Sequence, residues 1–112
     1  MTAEVGPCRT FTWCQTDHVR RGSWEELDDG RIECEHVLDT HEELVGEEGQ
    51  SVSLWLAVYE YRDADGQSFS APKLVLNTNA PHATLLPSVA SRLARALDEL
   101  ATVAGSALEA RQ

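Results

Sequence analysis

Two thiols and an imidazole lie close together near the start of the chain, at Cys8, Cys14 and His18, and Cys34, His36 and His41 follow. Structural zinc takes four ligands in a tetrahedron, and thiolate with imidazole is its preferred set. Cys14 and His18 are four residues apart, a spacing that brings both side chains to one side of a helical turn or tight loop. Cys8 enters from the loop before them, and a fourth ligand from the 34–41 segment would close the site. Cys34 and His36 are two apart, so on an extended segment both point to the same face and either reaches the ion. His41, further on among acids, reads as a surface residue. Three other readings of the cluster stay open at this point. A disulfide suits an oxidising compartment, but three Cys leave one unpaired. A catalytic Cys–His pair would meet in space rather than in sequence. Last, the residues can be unrelated.

The stretch Trp13-Cys14-Gln15-Thr16-Asp17-His18 resembles the opening element of a family of small, mostly actinobacterial proteins that form a domain of unknown function. In that family a Cys-Pro-x-Trp-Cys element precedes an Asp-His pair, and a single His follows downstream. Cys8 takes the place of the first Cys and His36 that of the downstream His. Leu86-Pro87 with Ala90, Leu93, Ala94 and Leu97 is similar to the start of the family's C-terminal helix. The resemblance implies a zinc site of two Cys and two His, at Cys8, Cys14, His18 and His36, and no enzymatic activity. It decides the fourth place for His36 over Cys34.

The elements that must hold such a site fall into three zones of one domain spanning residues 1–112. Residues 5–41 carry all the Cys and most of the His, with sparse hydrophobic residues, so this metal-binding segment needs the rest of the domain or a staple to fold. Residues 51–77 read as a β-hairpin. Val52, Leu54, Leu56 and Val58 alternate onto one face, with Ser53, Trp55, Ala57, Tyr59 and Tyr61 on the other. Asp63-Ala64-Asp65-Gly66 signals the turn, and Pro72 marks the returning strand as an edge or a bulge. A further short strand is expected around Ile32–Leu38. Residues 86–110 read as a helix opened by Pro87, with a stripe of Leu86, Ala90, Leu93, Leu97, Leu100, Ala104 and Leu108. Leu86 replaces a hydroxyl cap, leaving that role to Thr84 or Ser88. The expected fold class is α+β: a small antiparallel sheet, one long C-terminal helix and an N-terminal zinc-bound segment.

Charge narrows the function classes. The 112 residues carry nine Lys and Arg against nineteen Asp and Glu, a net −10. Residues 23–50 hold eleven acids against Arg31 alone, so that block carries the whole imbalance. This argues against direct binding to nucleic acid or anionic lipid. No apolar run has the length of a membrane-spanning helix, and the first residues lack a secretory leader, so the expected compartment is the cytoplasm. The leading expectation is a non-enzymatic accessory or regulatory protein with structural Zn²⁺. The alternative is an acidic module, residues 23–50, docking on a basic nucleic-acid-binding protein; a small metalloenzyme is third. The helix stripe equally suits a homodimer.

Overall fold

The computed structural model describes residues 8, 10–16, 24–40 and 44–110. They form an α+β fold of six antiparallel strands and one α-helix. The strands are β1 (Trp24–Glu26), β2 (Ile32–Asp39), β3 (Leu44–Val45), β4 (Ser51–Asp63), β5 (Gly66–Phe69) and β6 (Lys73–Thr78), followed by α1 (Pro87–Ala104).

The thirteen-residue β4 is the axis of the sheet. Along one edge it pairs first with β3 and then with β2, whose register runs from Asp39↔Trp55 to Ile32↔Arg62. Along the other edge it pairs with β6 and then β5. β1 lies outside β2. The hairpin turn forms where Asp-Ala-Asp-Gly predicts it: the Asp63 carboxylate accepts from the amides of Asp65 and Gly66 at 2.7 and 3.0 Å, and Gly66 takes φ 134°. The returning strand is not continuous. It breaks over Ser70–Pro72 because Pro72 has no N–H to place in a ladder. At the break, Ser70 Oγ accepts from the Tyr59 amide at 2.9 Å, and the Ser70 amide donates to Tyr59 O at 2.8 Å. The backbone of β4 therefore stays satisfied there.

Alternation puts Val52, Leu54, Leu56 and Val58 on the buried face of β4, and α1 packs over this face through Ala96 and Leu100. Burial of each large aliphatic side chain in this layer stabilises by roughly 1.5–3 kcal/mol. Two details of the expected helix change. Leu86 and Ala90 are exposed, and Val89 takes the inward position. Leu86 is the N-cap in an extended conformation (φ −64°, ψ 150°), so the helical phase does not reach it. No side chain caps this end, so neither Thr84 nor Ser88 fills the role. The helix also stops at Ala104 rather than at 110; the chain turns at Gly105 and Ser106 into a short 3₁₀ turn, Ala107–Glu109.

The N-terminal stretch closes the rest of the core. Phe11 is fully buried, stacks on Trp13 at 5.0 Å and meets Phe69 edge-on at 5.3 Å. Trp13 Nε1 donates to Ala107 O at 3.0 Å, and the Thr12 amide donates to Ala110 O at 2.9 Å, tying this stretch to the end of the chain. The Gln15 amide donates to Val37 O at 2.8 Å, and Thr16 Oγ1 accepts from the Val37 amide at 3.1 Å, tying it to the part of the β2 edge beyond β1. Among the described residues, no helix is long and apolar enough to cross a membrane.

Candidate metal centre

β2 delivers His36 to the buried face beside β4, where His36 lies opposite Val58. The N-terminal stretch, fixed by the contacts of Phe11, Trp13 and Gln15, brings two sulfurs to the same point. His36 Nδ1 lies 3.3 Å from Cys14 Sγ and 3.4 Å from Cys8 Sγ, and all three donor atoms lie within 4.8 Å of one another. All three side chains are buried. Zn–S and Zn–N bonds of about 2.3 and 2.05 Å at the tetrahedral angle separate sulfur from nitrogen by roughly 3.5 Å. The observed spacings match that edge.

Each sulfur also receives backbone hydrogen bonds. Cys8 Sγ accepts from the amides of Thr10 at 3.3 Å and Phe11 at 3.5 Å. Cys14 accepts a backbone and a side-chain hydrogen bond from Thr16. Both cysteines thus sit in a Cys-x-Thr turn whose amide two residues on points back at sulfur. That repeat, Cys8-Arg9-Thr10 and Cys14-Gln15-Thr16, is visible in the sequence, where it could have marked the two cysteines as a pair. Phe11 meets the imidazole of His36 edge-on at 4.9 Å, which sets the plane of the ring.

The other ring nitrogen faces a carboxylate. His36 Nε2 lies 2.8 Å from Glu60 Oε1. Glu60 is 0% exposed and continues the row of Val58, Leu56, Leu54 and Val52. Sequence reasoning missed it, although extending that alternation by one step places an acid on the core face. Its second oxygen, Oε2, accepts from Arg62 Nε at 3.1 Å and from the side-chain Nε2 of Gln67. Burial alone would raise the Glu60 carboxyl, but the hydrogen bonds from Gln67 and His36 and the charge of Arg62 outweigh it and hold it low. Burial pushes the His36 imidazole below its ordinary 6.5, against the opposing pull of Glu60. Burial also pushes the Cys14 thiol from 9.0 up to about 11, despite the bonds from Thr16. A dication between the sulfurs reverses that last effect, because it favours the thiolate directly.

Of the residues expected to bind metal, the structure brings together Cys8, Cys14 and His36. His18 lies outside the described residues, as does His41. Cys34 is buried on the same face of β2 as His36, but it lies opposite Glu60, one step away from the sulfurs, and is not in the group. His82, in the loop before α1, is exposed. No protein-family model, curated protein or solved structure gives a significant match to this chain.

The proton balance sets the pH response of the metal-free chain. His36 and Glu60 have depressed values when folded, so as pH falls the unfolded chain takes up their protons first and stability drops, beginning below about 6.5. Cys14 has a raised value, so as pH rises the unfolded chain loses its proton first, and stability drops from about 9.0 onward. Urea midpoints of chelator-treated protein should therefore peak between these limits. A midpoint that is flat from about pH 5 to about pH 10 contradicts the assignment.

Proposed function

We propose that this chain is a small accessory or regulatory protein without enzymatic activity, in which zinc is structural. The observation that carries the reading is the convergence of Cys8 Sγ, Cys14 Sγ and His36 Nδ1 inside the core. Soft thiolates with one imidazole select zinc over hard cations such as magnesium or calcium. Burial of the ligands suits a structural ion, whereas a catalytic one keeps an open position for water and substrate. The resemblance of the opening element to the small actinobacterial family points the same way, and supplies His18 as the fourth ligand.

The ion has a clear structural task. It joins the N-terminal stretch, which has few apolar side chains, to the sheet at His36, and binding free energy then contributes to folding. Elemental analysis of the purified chain is expected to return one zinc per molecule, and Cys34→Ser is expected to keep it. A folded, metal-free wild-type protein overturns the reading. Loss of zinc from Cys34→Ser alone would move the fourth ligand to Cys34.

A further inference from the structure

An imidazole can ligate only through a nitrogen that carries no proton, so something must decide which nitrogen of His36 is bare. Nδ1 faces the two sulfurs, and Nε2 faces Glu60 Oε1 at 2.8 Å. Glu60 is fully enclosed in a row that is otherwise aliphatic. Packing alone would favour an apolar residue there, since replacing buried charges by well-packed apolar groups is often neutral or stabilising. Instead the carboxylate is built in. Arg62 and Gln67, directly opposite one another across β4 and β5, both donate to its outer oxygen. The Arg62 guanidinium is itself seated over the Trp24 ring, 4.4 Å from its centroid. A carboxylate fixed to a permanently charged guanidinium is an acceptor only, so the proton in the His36–Glu60 bond belongs to Nε2.

We propose that Glu60 is the positioning residue of the metal centre, holding His36 as its Nε2–H tautomer with the Nδ1 lone pair aimed between Cys8 and Cys14. The inference rests on the zinc reading and deepens it. Metal-bound imidazoles commonly donate their second N–H to a carboxylate, which fixes the ring and strengthens the ligand. The arrangement also sets the charge the site accepts. Two thiolates balance the dication, and Glu60 balances Arg62, so a neutral fourth ligand leaves the core without net charge. An imidazole fits that place without adding charge.

The test uses the full chain with Glu60→Gln and Glu60→Leu. Zinc affinity is read by competition with a chromophoric chelator, and the His36 ring protonation by long-range nitrogen–proton NMR of the metal-free protein. Glu60→Leu is expected to weaken zinc about 10–100-fold, and its ring signal should show both tautomers. Glu60→Gln keeps the side chain's size and an acceptor but loses the charge, so it should fall between Leu and wild type. That near-isosteric variant serves if the Leu variant does not fold. Unchanged zinc affinity in folded Glu60→Gln and Glu60→Leu overturns the proposal, as does a wild-type ring protonated at Nδ1. A wild-type chain that binds no zinc overturns the metal reading beneath it instead, and the affinity measurement on wild type separates the two failures.

Discussion

Cys14→Ser is expected to abolish stoichiometric zinc and to lower stability by several kcal/mol, and His36→Ala should do the same. The Ser variant is the cleaner of the two. It changes one sulfur to oxygen at a buried position 3.3 Å from His36 Nδ1 and leaves the packing of Phe11 and Trp13 in place. His36→Ala also opens a cavity and strands the enclosed Glu60, so its effect on stability includes more than the lost ligand. The measurement is a urea titration of each protein with and without chelator, paired with elemental analysis. Wild type should lose on chelation about what Cys14→Ser has already lost, and Cys14→Ser should not respond to chelator. Full zinc retention in both variants would remove the site altogether.

Leu56→Asp is expected to unfold the domain. Leu56 is 0% exposed at the middle of β4, with Leu38 opposite it on β2 and Leu74 on β6. Truncating such a side chain removes about 2–5 kcal/mol. The new carboxylate has no partner in this layer and adds the penalty of burying a charge. The sum approaches the whole stability of a domain this size, which is about 5–15 kcal/mol. Leu86→Asp is the control, because Leu86 is 58% exposed at the uncapped N-cap of α1, where a carboxylate can accept from the first free amides, so its substitution should keep or raise stability by about 1 kcal/mol. Circular dichroism melts distinguish the cases. A Leu56→Asp protein that melts with wild type would mean that the faces of β4 are exchanged.

Alternation made β4 legible, since Val52, Leu54, Leu56 and Val58 recur on one face, while the other carries Ser53, Trp55, Tyr59 and Tyr61 with only Ala57 buried among them. Of the three residues that converge, Cys8 and Cys14 were legible from type and spacing, whereas His36 was chosen over Cys34 only on the resemblance of the opening element. What the sequence could not show was the meeting itself. Cys8 and Cys14 stand 28 and 22 residues from His36, and they meet it because Gln15 and Thr16 add to the edge of β2 while Phe11 fills the core. Those contacts are tertiary and have no periodicity. Glu60 was hidden for another reason. An acid one step beyond an aliphatic row reads as the end of the buried stretch, when here it is the part of the row that serves the imidazole. The helix stripe drifted at its start because Pro87 opens the helix and leaves Leu86 in extended backbone.

The break at Ser70–Pro72 has a consequence for how the chain behaves in a crowd. Among the described residues no strand pairs with the outer side of β6, and Leu76 on this strand is 49% exposed. Unbroken, this strand would offer a long row of free amides and carbonyls beside an apolar side chain, the template on which chains add to one another and aggregate. Pro72 removes one donor and divides the row into four- and six-residue pieces, and Lys73 sets a charge at the start of the longer one. The row that another chain could extend is thereby shortened and interrupted, so the same proline that breaks the hairpin also makes this edge a poorer template for strand addition.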